Sequence, residues 1–157
     1  MSCIQLFFYQ YIPTVMNRFF ELTILVFCLL LGTESIAQNV NFTIKITGFK
    51  QTSGKVQIAL YNHENGFLTP EKVYKNIVLD VNKSIVRHTI ALPKGNYAVA
   101  LYHDNNSNGV CDKNFLGIPT EYYGFSNNIR PILSAPSFKS TVVEVKQDLA
   151  IEIALLK

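Results

Sequence analysis

The sequence has few cysteines, and their positions limit how the protein can be stabilised. Of 157 residues, three are cysteine, and two of these, Cys3 and Cys28, lie in an N-terminal segment that we expect to be removed. The remaining chain keeps only Cys111, so it can form no intramolecular disulfide. About 120 residues are enough for one domain with one hydrophobic core, and the fold must rely on that core.

The sequence also lacks any run of basic residues. Without residues 1–37, which hold Arg18, Glu21 and Glu34, the chain keeps 13 of its 14 basic and 9 of its 11 acidic residues, a formal charge of +4. The lysines are scattered, and no basic run is interleaved with aromatic residues. This distribution argues against nucleic acid as a partner.

Long hydrophobic runs are absent except near the N-terminus. There, Arg18 precedes the apolar run FFELTILVFCLLLG, and a small-x-small triplet, Ser35-Ile36-Ala37, follows it. This order predicts a signal peptide over residues 1–37, cleaved after Ala37, with Met16 as a possible alternative start. The run is shorter than the ~20 residues that span a bilayer and contains Glu21, so we expect no membrane span after cleavage. The prediction is therefore an exported protein, periplasmic or secreted, with a single domain over residues 38–157.

The rest of the chain shows the period-two alternation of half-buried strands. Val40, Phe42, Ile44 and Ile46 alternate with polar residues, and Val56, Ile58 and Leu60 recur at alternate positions in the segment G-K-V-Q-I-A-L-Y. Further alternating or apolar segments follow, separated by turns, and the last runs from Leu149 to Leu156. The segment L-P-K-G-N-Y, ending at Tyr97, resembles the tyrosine corner of immunoglobulin-like and transthyretin-like sandwiches. Together these features predict an all-β fold, an antiparallel β-sandwich of about seven strands, with one long loop before the last two strands.

Oxygen-bearing side chains recur at alternate positions where this long loop begins. Asp104, Asn106 and Asn108 are followed by a glycine, a backbone carbonyl at Val110 and then Asp112. This is the spacing of a short loop that wraps an oxygen-liganded cation, and Ca²⁺ is the first candidate. The twelfth position of the loop is Phe115 and not glutamate, so we expect Glu121 to complete the ligand shell.

A second explanation of the same residues needs no metal. Asn, Asp, Ser and Gly are also the usual residues of tight turns, because they bond their own backbone and tolerate positive φ. If a cation does bind, the low number of carboxylates predicts weak affinity, with a dissociation constant of about 10⁻⁴ to 10⁻³ M.

The segment GNYAVALYHDNNSNGVCDKNFLGIPTEYYGFSNN resembles a family of small exported bacterial proteins, domain of unknown function 2141. The family pattern runs H-D-x-N-x-N-G-x-x-D-x-N-x-x-G-x-P-x-E-x-x-G-F-S-N-N, and the looser resemblance covers nearly all of the chain after residue 37. It implies an exported β-sandwich and supplies no established activity. Cys111 is an oddity, since a thiol contributes little to binding a hard cation.

Two functions other than a cation-stabilised structural module are compatible with the sequence. A hydrolytic enzyme would have to use His103, Asp104 and Glu121, although no G-x-S-x-G or H-E-x-x-H signature is present. A binding module could present the aromatic rings and amides of the later loop to a protein or carbohydrate ligand. The residues that would do so are Tyr122, Tyr123, Phe125, Asn127 and Asn128.

Overall fold

The computed structural model describes residues 38–132 and 134–157. The predicted signal peptide lies outside the described residues. Eight strands occur in the described part of the chain: β1 (Asn39–Thr47), β2 (Lys55–Tyr61), β3 (Lys75–Asp80), β4 (Val86–Pro93), β5 (Gly95–Asp104), β6 (Tyr122–Phe125), β7 (Val143–Val145) and β8 (Leu149–Ala154). Two 3₁₀ turns, Pro70–Lys72 and Ser126–Asn128, and one short helix, α1 (Phe138–Thr141), complete the elements.

The strands form two sheets. One has three strands in the order β4-β1-β8, and the other has five, in the order β3-β2-β5-β6, with β7 also paired to β5. All pairs are antiparallel except β1 with β8, which is parallel. The all-β prediction is confirmed, with eight strands and one parallel pair.

The hydrophobic core is built from the inward side chains of both sheets. Phe42 and Ile44 of β1 are fully buried, as are Ile58 of β2 and Val99 of β5. These side chains belong to a single buried cluster that also includes Ile153 of β8. Alternation along each strand directs every second side chain into this cluster, which is why the period-two pattern located β1 and β2 correctly.

Regular elements interrupt the long loop that the sequence predicts before the last two strands. The segment from Asp104 to Lys139 contains β6, a 3₁₀ turn and α1. β6 pairs with the second half of β5, where Tyr102 faces Tyr123 and Leu101 faces Gly124. The irregular connection is therefore shorter than expected, from residue 105 to residue 121.

Among the described residues, no helix has the length and apolar character needed to cross a membrane.

Candidate metal-binding loop

β5 positions the start of the loop because it is an inner strand of the five-stranded sheet. Its second half pairs with β2 on one side and β6 on the other, and Asp104 is its last residue. The turn before β2 packs tightly against this point. Gly54 has φ +75°, and a Cβ there would lie 2.5 Å from the carbonyl oxygen of Asp104. Only glycine allows the two backbones to approach this closely. Gly54, at the start of the segment G-K-V-Q, therefore helps to position the loop.

The Asp104 carboxylate is fully buried and binds the backbone of its own loop. Its Oδ1 accepts from the Asn108 N–H at 3.0 Å, and its Oδ2 accepts from the Gly109 N–H at 2.9 Å. The Gln57 amide lies 3.5 Å from Oδ2. Asp104 thus curls residues 105–109 around itself, as the first residue of a cation loop would do.

Asp112 faces the two loop asparagines. Its carboxylate accepts from the Asn106 amide at 2.9 Å and from the Asn108 amide at 3.2 and 3.3 Å. The Oδ1 atom of Asn106 accepts from the Asn108 N–H, and that of Asn108 accepts from the Val110 N–H. The second explanation, self-bonded Asx turns, therefore describes the geometry of these side chains.

Glu121 folds back onto both ends of the loop. Its Oε1 accepts from the Asn105 N–H and its Oε2 from the Asp112 N–H, each at 3.2 Å. The Glu121 residue is 9% exposed. The side chains of five of the six predicted ligand residues therefore take part in one hydrogen-bonded cluster: Asp104, Asn106, Asn108, Asp112 and Glu121. Val110 joins the cluster through its backbone N–H, while its side chain is exposed.

Three carboxylate side chains lie in this cluster, and burial together with their charges raises the pKa values of nearby groups. Burial raises the pKa of Glu121, bonds from the Asp112 and Asn105 N–H groups lower it, and the charges of Asp104 and Asp112 raise it again. Burial, followed by the same carboxylates and Cys111, raises the pKa of Tyr102 to about 12. The pKa of the Cys111 thiol is raised by burial and then by Glu121, against a lowering effect of Lys113.

Carboxylates alone do not form a metal site here. In residues 38–132 and 134–157, no group of three or more His, Cys, Asp or Glu side chains is arranged to hold a metal ion. Asn106 and Asn108 turn their amide nitrogens toward Asp112. A cation bound among these residues would need the amides to rotate and present oxygen, because a nitrogen that bears hydrogen is not a ligand.

An open cleft of about 390 Å³ borders the loop. Glu121, Asp112 and Tyr122 line it, and so do residues that sequence spacing could not identify because they come from distant parts of the chain: Lys50, Gln51 and Lys157. The Nζ atom of Lys157 lies 5.2 Å from the centre of the Tyr122 ring. The cleft therefore combines two ammonium groups with two carboxylates.

Of the three residues in the hydrolytic alternative, His103 and Glu121 line this cleft and Asp104 does not. The His103 ring is buried, edge-on to Phe49, and its Nε2 lies 2.7 Å from the Ser53 carbonyl oxygen. A carbonyl oxygen can only accept, so Nε2 carries the hydrogen. The imidazole is oriented by a backbone carbonyl and not by Asp104.

The residues of the predicted binding surface are largely occupied within the fold. The Asn127 amide donates to the carbonyl oxygens of Ser140 and Val142 at 3.0 and 3.1 Å. Asn128 donates to the Glu152 carbonyl oxygen and accepts from the Ala154 N–H. Phe125 is buried, while Tyr122 and Tyr123 are half-buried. The Tyr122 ring is the one of this set that lines the cleft.

Comparison with known proteins gave one match. The model of a family described as an uncharacterised protein conserved in bacteria, DUF2141, matches residues 44–152. No curated protein and no solved structure matches the chain.

Proposed function

The chain belongs to the DUF2141 family, and from this premise we propose that it is an exported module of the cell envelope or extracellular space whose loop at residues 104–121 binds Ca²⁺. The ion would stabilise the loop, and the module would serve a structural or binding role. The proposed ligands are the carboxylates of Asp104, Asp112 and Glu121, the amide oxygens of Asn106 and Asn108, and the carbonyl oxygen of Val110.

The observation that carries this proposal is the position of Glu121. Its nearly buried carboxylate accepts from the N–H groups of Asn105 and Asp112, and its pKa is raised mainly by burial and further by the charges of Asp104 and Asp112. The ion pairs of the described residues lie elsewhere, at Lys45 with Glu152, Lys139 with Glu64, and Lys146 with Glu144. Buried carboxylates are ordinarily paired or bound to metals, so a cation would relieve this concentration of negative charge.

The donor atoms favour Ca²⁺ over other divalent ions. All the proposed ligands are oxygens, which suit hard cations, and a loop of this length can supply the six to eight ligands of Ca²⁺. Mg²⁺ requires a tighter octahedron. The asparagine amides must also release Asp112 before they can bind an ion, which agrees with an expected dissociation constant of about 10⁻⁴ to 10⁻³ M.

Calorimetric titration of the chelated protein with Ca²⁺ tests the proposal directly. Glu121→Gln keeps the size of the side chain and removes a charge, so it should weaken binding by about tenfold or more, the loss of one carboxylate ligand. Asp80→Asn removes a carboxylate from an exposed position on β3 and should leave binding unchanged. Absence of binding heat in the wild-type protein at millimolar Ca²⁺ would eliminate the proposal. The loop would then be stabilised by its Asx turns, without a metal ion.

Export is tested separately, by N-terminal sequencing of the protein recovered after secretion. The small-x-small triplet predicts that the mature protein begins at Gln38. Strand β1 begins at Asn39, so this cleavage would leave the first strand complete. Recovery of a protein that retains residues 16–37 would show that the segment is not a cleaved signal.

A further inference from the structure

The loop carries a small hairpin, residues 113–119, whose tip is strongly apolar. Lys113 and Pro119 face each other as an antiparallel pair. The Asn114 N–H donates to the Ile118 carbonyl oxygen, and the Gly117 N–H donates to the Asn114 carbonyl oxygen, both at 2.9 Å. Phe115 and Leu116 occupy the centre of this turn.

Several bonds hold the hairpin in one conformation. The Asn114 Oδ1 atom accepts from the N–H groups of Leu116 and Ile118, each at 3.0 Å. At the base of the hairpin, the Thr120 N–H and hydroxyl both donate to the Asp112 carbonyl oxygen. The apolar residues therefore lie on a turn that hydrogen bonds hold in place. Less conformational entropy is lost when such a turn binds a partner.

The tip is exposed to an extent that core packing does not explain. Phe115 is 94% exposed, Leu116 66% and Ile118 53%. A Cβ added at Gly117 would meet no atom within 4 Å, so the turn stands clear of its surroundings. Adjacent large apolar side chains that are this exposed mark an interaction surface more often than an ordinary protein surface.

We infer that this hairpin tip inserts into the interfacial region of a membrane that contains anionic lipid. The tip projects, so it suits a fluid lipid surface, which needs no preformed groove to receive it. Within residues 113–119 the charge is that of Lys113, and the net charge of residues 38–157 is also positive, while the carboxylates of Asp112 and Glu121 at the base of the hairpin are ones that the proposed Ca²⁺ would neutralise. Basic residues beside an apolar insertion add attraction to an anionic lipid surface.

The native chain contains no tryptophan, so a single introduced tryptophan reports on one place only. Phe115→Trp puts the reporter at the tip, and Val78→Trp puts it on β3, at a residue that is 45% exposed. Both full-length proteins are mixed with vesicles of phosphatidylglycerol and phosphatidylcholine, in Ca²⁺ and again in chelator. Both proteins carry the same N-terminal apolar run, so the tryptophan at position 78 reports how much contact with lipid the binding of that run alone would cause.

Insertion predicts a blue-shifted emission at position 115 and quenching by lipids that are brominated in their acyl chains, in at least one of the two ionic conditions. Leu116→Asp in the same protein should reduce this quenching, and the tryptophan at position 78 should show none. Emission at position 115 that stays typical of water in the presence of vesicles would overturn the inference. A blue shift that grows with protein concentration in the absence of lipid would also overturn it, because a second copy would then cover the tip.

Discussion

Tyr97 illustrates how one side chain fixes the strand that leads to the loop. Its ring is 3% exposed and its hydroxyl donates to the Pro93 carbonyl oxygen at 2.8 Å. This is the bond to backbone that the L-P-K-G-N-Y segment predicted, and it closes the turn between β4 and β5. Burial is the main reason that the pKa of Tyr97 is raised.

Removing this hydroxyl should destabilise the fold. We expect Tyr97→Phe to lower the free energy of unfolding by about 0.5 to 1.5 kcal/mol, the net contribution of one hydrogen bond. Denaturant unfolding measures the loss. Tyr61→Phe is a matched control, because the Tyr61 ring is also buried, against Phe67, while its hydroxyl makes no bond to another described residue. An equal loss in both variants would mean that ring polarity, and not the corner bond, is responsible.

Glu121 should make the metal-free protein less stable as the pH rises. Its pKa in the folded state is raised above the ordinary value of 4.5, so the fold favours the protonated form. The stabilisation is complete below 4.5 and is lost as the pH rises through the folded pKa. The lowered pKa values of Asp148 and Glu152 act in the opposite direction and at lower pH, because there stability is lost as the pH falls.

Thermal unfolding in chelator, over a pH series that starts below 4.5, checks this expectation. The melting temperature of the wild-type protein minus that of Glu121→Gln should fall as the pH rises above 4.5, because glutamine does not titrate. Groups that are unchanged in both proteins cancel in the difference. A constant difference across the series would show that the Glu121 charge is well accommodated without a cation.

Among the elements, β6 and the 3₁₀ turn after it give the segment G-F-S-N-N, residues 124–128, a structural role. Ser126 is fully buried, and its Oγ accepts from the Val99 N–H at 2.9 Å while donating to the Thr141 carbonyl oxygen. Asn127 and Asn128 have positive φ, 60° and 52°, which asparagine tolerates better than most residues. The motif G-F-S-N-N thus ties β5, α1 and β8 together, a structural role that its polar composition did not reveal.

Ser126→Ala should be the more damaging of two serine substitutions. It leaves the Val99 N–H buried without an acceptor, which costs about 1 to 3 kcal/mol of unfolding free energy. Ser84→Ala, at an exposed turn, should change stability by less than about 0.5 kcal/mol. Chemical denaturation of both variants decides the matter, and equal stabilities would show that another acceptor replaces Ser126.

The strands that sequence reasoning located and the one that it missed differ in the source of their stability. β1 and β2 alternate over seven or more residues, so burial of one face is visible in the sequence. β6 has four residues, Tyr-Tyr-Gly-Phe, and lies among glycine, proline and asparagine. Its structure depends on pairing with β5 and on the bonds between Tyr123 and Leu156, which are long-range contacts that a local pattern does not encode.

For the whole molecule, the end of the chain completes the three-stranded sheet. β8 lies parallel to β1, and the Asn41 N–H and amide both bind the Asp148 carboxylate. Sequence alternation predicted both strands, but their parallel pairing follows from the path of the chain between the sheets. In the same way, the spacing of residues in the sequence identified the loop residues of the candidate site. Lys50, Gln51 and Lys157 lie far from them in the sequence, and the fold brings these three residues to the cleft.

Cation binding affects the whole molecule, because an ion that binds only the folded state stabilises the entire domain. At ten times its dissociation constant, Ca²⁺ should add about 1.4 kcal/mol to the free energy of unfolding. For a domain of about 120 residues this corresponds to a rise of roughly 4 to 8 °C in melting temperature. The hydrophobic core between the sheets is far larger than the loop, so we expect the chelated protein to stay folded.

Thermal melts in Ca²⁺, in Mg²⁺ and in chelator, with Glu121→Gln beside the wild type, measure the effect. An equal rise with both ions, or an undiminished rise in Glu121→Gln, would indicate a general effect of salt and not a site built on the loop.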